Sequence, residues 1–380
     1  MTICTISDLQ KLARKRVPKM FYDYADSGSW TESTYRANEH DFQSIKLRQR
    51  VAVDMTNRST SLPMVGQQTK MPVALAPTGL TGMQSADGEI KAAKAAEKFG
   101  VPFTLSTMSI CSIEDVAEHT SAPFWFQLYV MKDKEFAQNL IDRAKAAGCS
   151  ALVLTLDLQI LGQRHKDIRN GLSTNPLKSL KGWSHILTRP RWCLGMAATK
   201  RHTFRNIVGH AKGVTDVSSL FSWTAEQFDP QLSWEDVQWI KERWGGKLIL
   251  KGIMDVEDAK LAVQSGADAI IVSNHGGRQL DGAPSSISAL KAIVDAVGSQ
   301  IEVHMDGGIR SGQDVLKAVA LGAKGTYIGR PFLYGLGALG EQGVTTALEI
   351  IHKELDLTMA FCGERELRNI NRTHLLPGTF

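Results

Sequence analysis

The chain has 380 residues, 43% of them apolar, and a formal charge of +5. That apolar content excludes a disordered chain, and one barrel-sized domain of about 250 residues plus insertions accounts for the length. No stretch of roughly 18 apolar residues occurs, and Met1 to Gln10 contain Asp8 and no apolar run, so neither a membrane span nor a signal peptide is expected and the expected location is the cytoplasm.

In chain order, residues 1–70 read as two short helices and a connection, a lid over one end of the fold built by the rest of the chain, with Ser7 capping the first helix and Pro18 in the first turn of the second. Eight short runs rich in Val, Ile and Leu come next: Pro72–Thr78, Pro102–Thr107, Phe124–Tyr129, Ala151–Asp157, Lys247–Lys251, Ala269–Asn274, Glu302–Asp306 and Gly325–Gly329. Continuous apolar runs of this length suit strands buried on both faces of a parallel sheet. Between them, Gly88–Phe99, Asp133–Ala147, Val256–Gln264 and Asp314–Leu321 are rich in Ala, Lys and Glu, as helices are. Gly100, Gly148, Gly266 and Gly322 stand where such helices need a left-handed cap. Eight strand–helix units in succession predict an α/β fold closed as a (β/α)8 TIM barrel, in one domain spanning residues 1–380.

The fourth and fifth runs start close to 100 residues apart, against 22 to 33 elsewhere, so residues 158–225 form an insertion. Within it, Gln159 to Gly213 carry eleven Lys or Arg against one acid, Asp167, a net +10 that leaves −5 on the rest of the chain. Trp183, Ile186, Leu187, Trp192, Leu194 and Met196 lie among these cations. Such a stretch suits the anionic face of a membrane, where each cation adds about 1 kcal/mol, and would place the protein peripherally on the inner face of the cytoplasmic membrane. A solvated loop is the competing reading. Nucleic acid is not expected, because no binding motif accompanies the charge. Five scattered cysteines without a Cys-x-x-Cys pair predict free thiols. His165, His185, His202 and His210 lack ligand spacing, so no metal is expected, and His304 reads as a hydrogen-bonded core residue.

Barrel enzymes carry their chemistry at the C-terminal ends of the strands. The polar residues ending the eight runs are Thr78, Ser106, Gln127 with Tyr129, Thr155 with Asp157, Lys251, Ser273 with His275, Asp306, and Arg330. A purely structural barrel has no reason to place hydrogen-bonding side chains at every mouth, because each must be satisfied or solvated. After the seventh run, Asp306-Gly307-Gly308-Ile309-Arg310 offers bare amides and a guanidinium, and after the eighth so does Gly329-Arg330, as a phosphate site requires. The run Ser273-Asn274-His275-Gly276-Gly277-Arg278 supplies a general base in His275 and a planar carboxylate clamp in Arg278. Asp157 is placed to fix the imidazole tautomer.

With these residues stand Tyr22-Asp23-Tyr24, Ala76-Pro77-Thr78-Gly79, Leu105-Ser106-Thr107, Trp125-Phe126-Gln127-Leu128-Tyr129, Thr155-Leu156-Asp157 and Lys251-Gly252. On this set the chain resembles the FMN-dependent 2-hydroxy acid dehydrogenase and oxidase family over almost its whole length, and within it the cytochrome- or quinone-linked L-lactate dehydrogenases of bacteria. The resemblance implies oxidation of L-lactate, or another small L-2-hydroxy acid, to the keto acid. It also implies FMN as cofactor, a quinone or cytochrome as electron acceptor, and a homotetramer. Tyr24, Tyr129, Arg164 and Arg278 would hold the substrate, and His275 would take its proton with Asp157 behind it. FMN would contact Pro77, Thr78, Gly79, Ser106, Gln127, Thr155, Lys251 and Ser273, with its ribitol and phosphate at Asp306, Gly307, Gly308, Arg310, Gly329 and Arg330. Gly79 departs from the alanine of many oxidases in the family, which leaves the acceptor open between oxygen and another carrier.

Two other chemistries compete. Lys251 at a strand mouth suits a Schiff-base aldolase on the same barrel. Gly335-Leu336-Gly337-Ala338-Leu339-Gly340 matches the dinucleotide fingerprint by letter, yet it follows Pro331-Phe332-Leu333-Tyr334 and not a strand, so NAD is not expected.

Overall fold

A computed structural model describes residues 2–172, 186–211, 214 and 229–380. Lys178, Lys181, Trp183, His185 and Lys212 of the basic insertion lie outside the described residues. The strands are β1 (Val73–Leu75), β2 (Thr104–Ser106), β3 (Trp125–Tyr129), β4 (Ala151–Thr155), β5 (Lys247–Ile253), β6 (Ala269–Val272), β7 (Glu302–Asp306) and β8 (Gly325–Ile328). All pair in parallel, in chain order from β2 to β8 and then to β1. Leu75 bridges Phe103 beside β2, with its amide 2.9 Å from the Pro102 carbonyl, and this closes the expected (β/α)8 barrel.

The helices are α1 (Ile6–Arg16), α2 (Lys19–Ala25), α3 (Ser33–Ser44), α4 (Gly88–Phe99), α5 (Ile113–Ala117), α6 (Lys134–Ala146), α7 (His165–Arg169), α8 (Pro190–Ala198), α9 (Trp234–Trp244), α10 (Val256–Gln264), α11 (Ser286–Val297), α12 (Gly312–Leu321), α13 (Arg330–Leu339) and α14 (Glu341–Phe361). The pleat sends alternate strand residues to opposite sides. Ala74, Trp125, Val153, Ile249, Ile271 and Tyr327 fill the barrel, while Leu75, Phe126, Leu154, Leu250, Val272 and Val303 pack in the outer core under the helices. Each large apolar side chain so buried contributes about 1.5–3 kcal/mol, so the wall is stable enough to carry a polar mouth.

Most expected strands end early, because the residues after Leu75, Thr155 and Val272 turn outward into loops at the mouth. Thr5, not Ser7, caps α1: its side chain accepts from Asp8 N–H while the Asp8 carboxylate accepts from Thr5 N–H, a reciprocal pair that Ser7 has no partner to form. Pro18 stands at the N-cap of α2. The N-terminal segment holds a further helix, α3, whose start draws its hydrogen bonds from Asp281, about 250 positions along the chain. Residues 24–38 lie over the C-terminal mouth, whereas Met64 enters the barrel from the other end, beside Ala74, Ala151 and Ala269. His304 is fully buried there, with Nε2 on Glu302 at 3.1 Å and Nδ1 on the Tyr327 hydroxyl at 3.2 Å.

The Gly335–Gly340 run forms the end of α13 and packs it against α14 and α1. A Cβ on Gly335 would lie 2.2 Å from the Gly343 carbonyl, and one on Gly337 would lie 2.6 Å from Val17. Several cations of the insertion are paired inward: Arg201 with Asp87 and Asp115, Arg205 with Asp115, Arg164 with Asp167, and Lys166 with Glu32. Among the described residues no helix is long and apolar enough to cross a membrane.

Candidate active site

The loops after the strands enclose a cavity of about 950 Å³ at the C-terminal mouth. Tyr24, Pro77, Thr78, Gly79, Tyr129, Arg164, Lys251, His275, Arg278, Asp306, Gly307, Gly308, Arg310, Gly329 and Arg330 line it. Ser106, Gln127, Thr155 and Ser273 are buried in the strand layer beneath. Ser106 Oγ donates to Gln127 Oε1 and Gln127 Nε2 donates to Thr155 Oγ1, each at 3.0 Å, which fixes the amide's orientation.

His275 sits in a left-handed turn (φ +57°) that continues through Gly276 (+63°) and Gly277 (+71°). A non-glycine residue held there costs about 1–2 kcal/mol. Asn274 sustains the turn: its side chain accepts from Gly277 N–H and exchanges two 2.8 Å bonds with the Asn38 amide of α3. Gly277 must be glycine, because a Cβ would fall 2.4 Å from Tyr35 N. The imidazole Nδ1 lies 3.0 Å from Asp157 Oδ1 and donates to it, which turns the Nε2 edge toward the cavity. Burial depresses the His275 pKa, outweighing the upward pull of Asp157, so the ring is a neutral base near pH 7. Burial acts to raise the Asp157 pKa, but His275 and Lys251 hold it below the ordinary value.

Opposite, Arg278 and Arg164 share the ring of Tyr24, at 4.8 and 5.7 Å from its centroid. Arg278 Nη1 donates to the Tyr24 and Ser27 carbonyls, and Arg164 Nε donates to Asp167 at 2.6 Å. Burial, and then the charge of Arg164, brings the Arg278 pKa down to about 10. Two guanidinium groups crowded in a half-buried corner are relieved by an anion, and a carboxylate matches their planar forks.

The third wall fits a flavin nucleotide. Asp306 Oδ1 is buried without a hydrogen-bond partner among the described residues, which suits a polyol hydroxyl. Gly329, the N-cap of α13, has only Thr78 and Ala76 near the place of a Cβ, so its bare amide and the helix N-terminus meet the cavity. Gly308 is glycine for another reason: a Cβ would lie 1.9 Å from the Asn38 carbonyl of the lid. Lys251 Nζ donates to Ser273 Oγ at 2.8 Å and pairs with Asp306 at 3.2 Å. Burial works against its charge, but Asp306 and Asp157 prevail and raise its pKa. The resulting ammonium is suited to stabilising negative charge on a ring above it and unsuited to a Schiff base, which needs a free amine. Arg310 pairs with Glu39 at 2.8 Å, and Arg330 donates to the carbonyls of Ala25, Ser27 and Gly276.

Sequence reasoning passed over the groups that hold this machinery. Gln279 bonds the Asp157 and Ile160 carbonyls at 2.8 Å each, and Asp281 accepts from Thr31, Ser33 and Thr34 of the lid. Both follow His275 in the same run, which was their only signal.

The family model for FMN-dependent dehydrogenases matches residues 13–377. An L-lactate dehydrogenase of Haemophilus influenzae (strain PittEE) is 46% identical over 371 residues, covering 97% of both chains. An L-lactate dehydrogenase of Actinobacillus pleuropneumoniae serotype 5b (strain L20) is 44% identical over 377 residues, covering 99% of both. Among solved structures, the monotopic membrane protein (S)-mandelate dehydrogenase superposes with a TM-score of 0.94 at 36% identity, over 99% of this chain and 100% of that one. The residues at the mouth and the length of these matches lead to one conclusion: the chain belongs to the FMN-dependent dehydrogenase family.

Proposed function

We propose that the protein oxidises L-lactate, or a small L-2-hydroxy acid close to it, to the 2-keto acid with FMN as cofactor. The observation that carries this reading is the convergence, in one cavity, of a neutral imidazole and two guanidinium groups across from the Lys251–Asp306 wall. Asp306, Gly307, Gly308, Gly329, Arg310 and Arg330 would hold the ribitol and phosphate, and Pro77, Thr78, Gly79 and Lys251 would border the ring, with Ser106, Gln127, Thr155 and Ser273 beneath it. When bound there, FMN supplies the two-electron acceptor for carbinol oxidation.

Arg278 and Arg164 fix the substrate carboxylate, and Tyr24 and Tyr129 close around the hydroxyl end. His275 Nε2 takes the substrate proton. Asp157 keeps that nitrogen unprotonated beforehand and stabilises the imidazolium afterwards. Anaerobic titration of the purified FMN-loaded protein with lactate, glycolate, mandelate and longer L-2-hydroxy acids tests the reading, with bleaching by lactate expected at the lowest concentration. A larger hydroxy acid is favoured by one feature, the apolar flank of Phe21, Met108 and Leu161, and preferential bleaching by mandelate would select it.

The finer expectations, a quinone or cytochrome acceptor and a homotetramer, come from the family resemblance. Reoxidation with a quinone against air, and light scattering, test them. Peripheral membrane association is supported by the monotopic neighbour and by a basic rim in which Lys11, Arg14 and Lys15 of α1 surround Arg189, close to the exposed Leu187 and Leu194. Cosedimentation with anionic but not zwitterionic vesicles is the expected result.

A further inference from the structure

The last turn of α2 gathers cations from three distant parts of the chain. Tyr24 O accepts from Arg278, Ala25 O from Arg330, Asp26 O from Lys166, and Ser27 O from both Arg278 and Arg330, at 2.6–3.0 Å. A helix end leaves its final carbonyls without intrahelical donors, and here those acceptors are taken by charged side chains. One of them is the substrate guanidinium, one is the phosphate-side guanidinium, and the third comes from the basic insertion.

The side chain in the middle of this turn faces the other way. The Asp26 carboxylate accepts hydrogen bonds from Tyr22 at 2.9 Å, Tyr35 at 2.9 Å and Tyr334 at 2.7 Å, with Gln10 Nε2 at 3.4 Å. These phenols come from α2, α3 and α13, so one carboxylate fastens three helices to each other. Tyr35 also lies under Arg330, 4.3 Å from guanidinium to ring centroid. Burial acts to raise the Asp26 pKa, but the three phenols and the charge of Arg330 hold it below the ordinary value, so the group is an anion.

We propose that Asp26 is a positioning residue: by clamping the α2 turn through three tyrosines, it orients Arg278 toward the substrate carboxylate and Arg330 toward the cofactor phosphate from one carbonyl array. The inference rests on the hydroxy acid reading above. It assigns to one half-buried carboxylate, outside the cavity wall, the alignment of both anion-binding ends of the site.

Asp26→Asn keeps the size of the side chain but removes the anion, and Tyr334→Phe removes a single donor while leaving its ring packed. Both are compared with wild type, each saturated with FMN. The KM for L-lactate and the Kd of oxalate, a non-reacting dicarboxylate probe, should rise together by about tenfold in Asp26→Asn, with kcat within about threefold, as expected for a misplaced clamp with an intact base. The Kd of FMN, measured by fluorescence on reconstituting the apoprotein, should rise in the same variant. Tyr334→Phe should shift all three in the same direction by about two- to threefold. A Tyr334→Phe protein with wild-type KM, oxalate Kd and FMN Kd overturns the proposal even if Asp26→Asn fails to fold. So does an Asp26→Asn protein that loses only thermal stability. Wild-type protein that holds FMN yet is reduced by no 2-hydroxy acid would instead sink the functional reading.

Discussion

Two histidines of this barrel each stand beside a carboxylate, His275 at 3.0 Å from Asp157 and His304 at 3.1 Å from Glu302, and only one is set up as a base. His304 lies inside the barrel with no exposure, and its second nitrogen is taken by the Tyr327 hydroxyl. His275 lies past the end of β6, where the left-handed turn points its second nitrogen edge into a cavity walled by Arg278, Arg164 and Lys251. The pairs share a motif and differ in what surrounds the other ring nitrogen. A carboxylate neighbour therefore makes a well-held histidine, and an open edge facing anion-binding groups makes a reactive one.

The contrast breaks most sharply at His275 itself. His275→Gln should lower kcat by about 10² to 10⁴ with FMN still bound. Asp157→Asn should cost kcat about 10²-fold, because the ring loses the acceptor that selects its tautomer. The pH profile sharpens the point. A neutral base is required, so kcat/KM falls as pH drops through the His275 pKa, and burial places that inflection below the usual 6.5. Without the upward pull of Asp157 the inflection should move to still lower pH, and an upward shift would contradict the pairing. Arg278→Lys should raise the KM for lactate by about tenfold with a smaller change in kcat, since an ammonium cannot offer the planar fork. The smallest catalytic effect belongs to His304→Gln: kcat within about twofold, and a loss of about 1–3 kcal/mol in urea unfolding from the buried Tyr327 hydroxyl left without its partner.

The barrel was legible because each strand carries its own signal, an apolar run ending in a polar residue, and the closure needs nothing beyond that repeat. The mouth residues were legible for the same reason, since the end of a run marks the end of a strand. What escaped reading was held from far away. The start of α3 depends on Asp281, the His275 turn on Asn38, and the α2 turn on Arg278, Arg330 and Lys166, each pair more than 100 positions apart. Gly308 and Gly335 carry a further constraint of the same kind: each is pressed by the backbone of another element, the Asn38 carbonyl and the Gly343 carbonyl, which leaves no room for a Cβ.

The most direct measurement is a stopped-flow record of flavin absorbance when oxygen-free FMN-loaded protein is mixed with saturating L-lactate, for wild type and His275→Gln side by side. Rapid bleaching in wild type, slowed at least about 10²-fold in the variant with its FMN retained, is the predicted result. Equal bleaching rates in the two proteins would contradict the role given to the open nitrogen of His275.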